Sequence, residues 1–198
     1  MINFSEEDKN YIESNKGTYS ARGVSDVLTT LGEKFGDEKK EEFKQEMKNA
    51  GYDIFFEGKE SQTIPVKTFV ALIVGEKYFF GIDEAGIKEV GKESAKLSFL
   101  LKFASKLLVS LDMLAKNANE GWHKYYNTGE LFIVEFNKEE KRIIGEVRDF
   151  TGHPLHCKHI EGYFEQIIFF VTGKKIICRE EECLFKGSDV HRYIMTWE

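Results

Sequence analysis

The chain has little proline, little cysteine and no long hydrophobic run. Of its 198 residues, two are proline and three are cysteine. A small, odd number of cysteines argues against a disulfide framework and indicates reduced thiols or a metal site. A membrane span needs roughly 18 uninterrupted apolar residues, and the most apolar segment, Leu97 to Leu114, is interrupted by charged side chains. We therefore expect no membrane span.

Concentrated positive charge and an export signal are also missing. The 28 Lys and Arg residues are outnumbered by 34 Asp and Glu residues, which gives a net charge of −6. Because binding to phosphates requires concentrated positive charge, nucleic acid is not the expected partner. The N-terminus has neither the basic start nor the apolar segment of a signal peptide. Together these features predict a cytoplasmic protein.

The pattern of hydrophobic residues changes along the chain. Helical spacing prevails up to about residue 127, and alternating runs typical of strands follow Gly121. The pattern predicts an α+β fold, in which a helical layer packs on a twisted four-stranded antiparallel sheet with one helix inserted in the meander. We predict a single domain over 1–198, with residues 1–64 as an N-terminal helical extension and 65–198 as its main body.

Particular elements can be placed on this pattern. In the second half of the chain, the hydrophobic pattern predicts strands at 131–138, 142–149, 174–179 and 190–197, and a helix at 159–172. The segment 99–114 is the most apolar helical region, and we predict that it is the central buried helix. Gly86 and Gly91 lie in a further helix that begins near Asp83, where they would permit close contact between helices.

Potential metal ligands are concentrated in the last quarter of the chain, which holds all three cysteines and four of the five histidines. No CxxC or HExxH spacing occurs, so a site would have to be assembled from separate elements. The set that we select is Cys157, Glu180, Cys183 and His191, which are acceptable ligands for a closed, structural zinc site. The alternative is that the cysteines are small buried residues and His191 an ordinary strand residue. We predict that Cys178 belongs to the core.

A group of residues in this region also carries a family resemblance. These residues are Gly121, Trp122, Cys157, Gly162, Gly173, the segments 180–183 and 186–189, His191 and Trp197. Over roughly residues 65–198 the chain resembles the 4-vinyl-reductase domain, also called the small-hydrocarbon-binding domain. In this chain His191 replaces the last cysteine of that family, and Ser188 is an additional residue in the preceding turn.

The resemblance implies a fold similar to the small subunits of the TRAPP vesicle-tethering complex, which are often dimeric. It implies a zinc ion held by Cys157, Glu180, Cys183 and His191, and a pocket for a small apolar molecule between helices and sheet. Such a pocket needs apolar walls and a few polar groups. The candidate ligand-binding residues are Trp122, His123 and Tyr126; the alternative is that Trp122 is core and His123 is surface.

Nothing in the sequence resembles a phosphate-binding glycine loop, a nucleophile elbow or a catalytic triad. We therefore expect a non-enzymatic sensor or carrier domain that binds a small hydrophobic molecule, contains a structural zinc and forms a homodimer. Two alternatives remain open, namely a dimerisation or scaffolding module without a ligand and a tetrapyrrole-related accessory protein or reductase. No covalent heme-attachment motif occurs, and a histidine-ligated heme also stays open.

Overall fold

Most of the described helices lie in the first two thirds of the chain, and the longer strands lie in the last third. The computed structural model describes residues 1–54, 62–103 and 110–198, with the backbone alone for 99–103. The elements are α1 (Glu6–Ser14), β1 (Thr18–Ser20), α2 (Ala21–Phe35), α3 (Asp37–Asn49), β2 (Thr63–Pro65), α4 (Val66–Phe80), α5 (Glu84–Phe103), α6 (Leu111–Lys116), α7 (Ala118–His123), β3 (Glu130–Asn137), β4 (Arg142–Arg148), α8 (Pro154–Thr172), β5 (Ile176–Glu182), a 3₁₀ turn (Leu184–Lys186) and β6 (His191–Trp197). The predicted α+β class is confirmed.

The main sheet has four strands in the order β3-β4-β6-β5, and all neighbours are antiparallel. Helix α8 is inserted between β4 and β5, as predicted, and the four strands begin within two residues of the expected positions. β6 lies inside the sheet and pairs with both β4 and β5, so the chain does not follow a simple sequential meander.

A second, two-stranded sheet was not predicted, because strands of three residues are too short to show an alternating pattern. In it β1 pairs with β2, and Tyr19 faces Ile64. The predicted division between residues 64 and 65 falls within β2, and the single-domain organisation stays a prediction.

The most deeply buried of the described helices is α4, in which every residue from Thr68 to Glu76 is buried. The sequence predicted instead that the segment 99–114 is the central buried helix. The side chains of 99–109 lie outside the described residues, and α6, which follows, has no buried residue. None of the described helices is long and apolar enough to cross a membrane.

Helix α8 begins at Pro154, five residues before the predicted start at His159. Proline suits the first turn of a helix, because its missing N–H would have no partner there. The preceding His153 caps the helix, since its Nδ1 accepts a hydrogen bond from the backbone N–H of Leu155 at 3.1 Å. Histidine is not a typical capping residue, which is why the sequence pattern missed this start. Cys157 consequently lies within the helix and not before it.

Helices α5 and α8 pack closely because each presents a glycine to the other. A Cβ atom on Gly91 would collide with the backbone carbonyl of His159, and one on Gly162 with the backbone carbonyl of Lys88. The close contact predicted at Gly91 is therefore confirmed. Gly86 is different, because a Cβ atom there would meet the side chain of Ile82, which lies just before the same helix.

Candidate functional site around helix α8

The first two turns of α8 carry two histidines into the interior of the protein. His156 and His159 are three residues apart, so they share one face of the helix. Both are buried, with exposed fractions of 0% and 4%. Neither histidine was among the site residues predicted from the sequence. Their helical spacing becomes visible only when the helix is begun at Pro154.

Aromatic rings surround these two imidazoles. The ring of Phe69, on α4, meets His156 and His159 edge-on, with ring centroids 5.6 and 5.9 Å apart. Tyr126 stacks on Trp122 with centroids 4.3 Å apart, and its hydroxyl group lies 2.9 Å from Nε2 of His156. The surroundings of both histidines are therefore largely apolar and shielded from water.

The three predicted ligand-binding residues are divided between the interior and the surface. Trp122 and Tyr126 are both buried, and Tyr126 contacts His156. His123 is exposed at the end of α7, where its Nδ1 lies 3.2 Å from the carbonyl oxygen of Tyr126. That Trp122, His123 and Tyr126 bind a ligand stays a prediction. A pocket of about 170 Å³ lies elsewhere, between α2, α3 and Ile54, and contains none of these residues.

One ring nitrogen of each buried histidine in α8 lacks a hydrogen-bond partner among the described residues. Within the described part of the chain, neither Nδ1 of His159 nor Nδ1 of His156 has a partner. Burial lowers the pKa of His159 to about 3 and also holds the pKa of His156 well below its usual value, where the neighbouring His159 adds to the effect. Both rings are therefore neutral near pH 7. A neutral imidazole with a free lone pair is the form that binds a metal, and an unpartnered buried nitrogen calls for such an explanation.

The four predicted metal ligands do come together, at the junction of α8 with the sheet. Cys157 lies in the first turns of α8, Glu180 near the end of β5, Cys183 just after it, and His191 at the start of β6. One ligand atom from each residue lies within 4.8 Å of all the others, and the two cysteines and His191 are buried. The sulfur of Cys157 is 3.5 Å from Nδ1 of His191.

His191 is held by contacts on both sides of its ring. Its Nε2 lies 3.2 and 3.1 Å from the backbone carbonyl oxygens of Phe150 and Thr151, so this nitrogen carries a proton and donates it. Its Nδ1 faces the cluster and lies 2.9 Å from a carboxylate oxygen of Glu180. A lone pair on Nδ1 would repel that oxygen, so the contact requires a proton or another cation between them.

The thiols of the cluster differ in acidity. A hydrogen bond from Cys157 lowers the pKa of Cys183 to about 7, although burial opposes the effect. Burial, together with the hydrogen bond to Cys183, raises the pKa of Cys157 well above its usual value. The remaining cysteine, Cys178, is fully buried in β5, outside the cluster, as predicted.

Comparison with known proteins gives a structural likeness without a sequence match. No family model and no curated protein matches the chain. An H-NOX protein from S. oneidensis in the Fe(II)NO ligation state has a TM-score of 0.65 at 10% identity, and the match covers 90% of this chain and 99% of that one. A mutant of the T. tengcongensis H-NOX has a TM-score of 0.63 at 14% identity, with 88% and 95% covered. A structure from a study of heme distortion in the H-NOX family has a TM-score of 0.66 at 13% identity, with 90% and 95% covered.

These neighbours overturn two expectations. The resemblance to the 4-vinyl-reductase domain is wrong, because the similar solved structures are H-NOX proteins. Several residues that carried it have general structural roles: Gly173 and Gly187 adopt left-handed conformations that end helical segments, and Gly162 permits the contact with α5.

Zinc as the cofactor is also wrong, since these structures are described by heme and by Fe(II) states. Hydrocarbon binding was inferred from the same resemblance and is therefore no longer supported. The homodimer stays an untested prediction. What the comparisons establish is the architecture of the chain, which has the fold of H-NOX proteins.

Proposed function

We propose that this chain is a sensor domain that binds a small ligand through heme. The observation that carries the proposal is the shared fold, which extends over 90% of this chain and 99% of the S. oneidensis H-NOX protein. The neighbouring structures are described by heme, its Fe(II) state and its complex with NO. In this proposal heme takes the place of the hydrophobic molecule expected from the sequence, which left a histidine-ligated heme open. The other two alternatives, a scaffolding module without a ligand and a tetrapyrrole-related accessory protein or reductase, are not favoured.

The donor chemistry of the interior fits this group. Histidine is a usual axial ligand of heme iron, and His159 offers a neutral imidazole whose Nδ1 has no hydrogen-bond partner in the described part of the chain. His156 is less free, because its Nε2 is engaged by Tyr126. His159 is therefore the residue that would hold the iron, with His156 as the alternative donor one turn earlier.

When bound, heme supplies an iron centre that takes a diatomic ligand such as NO. The residues of the chain would provide its environment. Phe69 and the stacked pair of Trp122 and Tyr126 exclude water from the two imidazoles. The Tyr126 hydroxyl group fixes the orientation of the His156 ring. The backbone of His159 abuts Gly91, so a displacement of this turn would act directly on α5.

Titration of the purified chain with hemin tests the proposal. The wild-type chain should bind one equivalent and give a Soret band that is shifted and sharpened relative to free hemin. His159→Ala should weaken binding by more than about 10-fold, because it removes the axial donor. Phe169→Ala is the control, since Phe169 lies on the same helix but is exposed, and it should bind like the wild type.

Two results would count against the proposal. The first is a wild-type spectrum identical to that of free hemin, which would mean that the chain does not bind heme. The second is tight binding that survives both His159→Ala and His156→Ala, which would remove these histidines as ligands. Far-UV circular dichroism of each variant establishes that it is folded.

A further inference from the structure

A group of charged side chains joins α5, α8 and β5. Glu161 and Glu165 of α8 are buried, with exposed fractions of 3% and 7%. Lys88 of α5 lies between them, and its Nζ is 2.6 Å from a carboxylate oxygen of Glu165 and 3.2 Å from one of Glu161. A buried charge is costly unless it is paired and hydrogen-bonded. Removal of this lysine would therefore leave both carboxylates poorly compensated.

The same side chains occupy the outer edge of the sheet. β5 is the last strand in the order β3-β4-β6-β5, so among the described strands it pairs only with β6. On its other side, the backbone N–H of Cys178 donates to Glu165 at 2.8 Å, and Lys88 donates to the carbonyl oxygen of Cys178 at 2.8 Å. The backbone N–H of Glu180 donates to Glu161 at 3.1 Å. Burial alone would raise the pKa of Glu165, but its hydrogen bonds and ion pairs lower the pKa below its usual value, so the carboxylate is charged near pH 7.

The geometry of α8 connects this group to the proposed iron ligand. Successive residues of an α-helix are rotated by about 100°, so Glu161 and Glu165 lie on the face of α8 roughly opposite the one that carries His159. Gly162 lies against the backbone carbonyl of Lys88, so this one residue of α5 contacts α8 through its backbone and through its side chain. These contacts determine how α8 is rotated about its axis, and the rotation sets the direction of the His159 imidazole.

We propose that Lys88 is a positioning residue for His159. The inference rests on the proposed function, in which His159 would hold the heme iron. Lys92 pairs with Glu165 at 2.9 Å, and Lys158 pairs with the other carboxylate at 2.6 Å. Among the contacts of the described residues, however, Lys88 is the lysine that joins both carboxylates to the backbone of β5. It acts through α8 and does not contact the imidazole itself.

Amide hydrogen exchange of the hemin-free chain tests the connection with β5. Lys88→Met keeps the length of the side chain and removes its charge. The N–H groups of Cys178 and Glu180 should then exchange at least about 10-fold faster, because their hydrogen bonds to charged groups are weakened. Lys96→Met is the matched control, since Lys96 lies on the same helix and pairs with Glu93 of that helix. It should leave both amides unchanged. Unchanged exchange in Lys88→Met would overturn the proposal.

Titration with hemin tests the effect on His159. Lys88→Met should weaken binding by about 10-fold, because loss of an outer partner of a metal ligand costs about 10- to 100-fold. Lys88→Arg keeps the charge and should restore most of the affinity. The most informative variant combines Lys88→Met with His159→Ala. If Lys88 acts through His159, this double variant should bind hemin as weakly as His159→Ala alone.

Two results would overturn the positioning role and leave the proposed function intact. One is hemin binding by Lys88→Met that equals that of the wild type. The other is a double variant in which the two losses of affinity multiply, as expected of a residue with a purely structural role. A wild-type chain that does not bind hemin would overturn both proposals. Circular dichroism establishes the fold of each variant. If Lys88→Met does not fold, Glu165→Gln replaces it, because it keeps an acceptor for β5 and removes the charge that holds Lys88.

Discussion

Gly91 of α5 faces the backbone carbonyl group of His159 in α8 so closely that a Cβ atom has no room between them. The turn that directs the His159 imidazole into the interior therefore also forms one of the two close glycine contacts between these helices, the other being that of Gly162 with Lys88. Because the obstacle is backbone, it cannot rotate away as a side chain would. Helix packing and the position of the proposed iron ligand are thus coupled.

Gly91→Ala should consequently destabilise the protein. The added methyl group forces α5 and α8 apart, and such overpacking lowers the free energy of unfolding by about 1–3 kcal/mol. Urea denaturation followed by circular dichroism measures the change. Gly121→Ala in α7 is the control, because nothing lies within 4 Å of the new Cβ. It should stabilise by about 0.4–1 kcal/mol. Equal stability of the two variants would refute the tight contact.

Glu76 should make stability fall as the pH rises. Its side chain is fully buried in α4, and neither carboxylate oxygen has a hydrogen-bond partner among the described residues. Burial raises its pKa well above the usual value, although Lys34 opposes the effect. The folded state then keeps a proton that the unfolded state releases, so folding becomes less favourable above the usual carboxylate pKa.

Glu76→Gln removes this titration and should gain stability over the wild type as the pH rises from about 5 to 8. The slope of the difference should reach up to about 1.4 kcal/mol per pH unit. Urea denaturation across this pH range measures it. Glu42→Gln, an exposed change on α3, should give a curve parallel to that of the wild type. If the Glu76→Gln curve is parallel as well, Glu76 is not a buried acid.

His153 should act in the opposite direction and make the protein sensitive to acid. Its Nδ1 caps α8, and its Nε2 donates to Asp8 at 2.9 Å. Burial lowers its pKa, although Asp8 opposes the shift. The unfolded state therefore binds a proton at a pH where the folded state does not, so stability falls as the pH drops below about 6.5.

His153→Asn keeps a capping oxygen but does not titrate. Relative to this variant, the wild type should lose stability between about pH 6.5 and 5, with a slope of up to about 1.4 kcal/mol per pH unit. Thermal unfolding at each pH provides the measurement, and His123→Asn serves as the exposed control. A constant difference across the range would exclude His153 as the source of acid sensitivity.

The sequence was informative where one local pattern determines one structural feature. Alternation placed the hairpin of β3 and β4, and the donor types of Cys157, Glu180, Cys183 and His191 selected a set that the fold brings together. Prediction from the sequence failed where contacts with distant parts of the chain determine a helix start or the orientation of a side chain. The cap at His153 depends on Asp8, and the tautomer of His191 depends on carbonyl groups about 40 residues earlier in the chain.

The family resemblance failed for a related reason. It relied on glycines and turn residues that any helix–strand–turn–strand unit needs, whereas the fold as a whole depends on how α4, α5 and α8 pack together. Glycine contacts between α5 and α8 and aromatic contacts between α4 and α8 define that packing. Neither is visible in a search for local motifs.

The most direct test of the account is the absorption spectrum of the reduced, hemin-loaded chain before and after addition of NO. The account predicts a Soret band that differs from that of free heme and shifts on addition of NO, and a His159→Ala variant that loses the protein-bound spectrum while remaining folded. A wild-type spectrum indistinguishable from free heme, with or without NO, would contradict the claim that this fold serves here as a heme-based sensor.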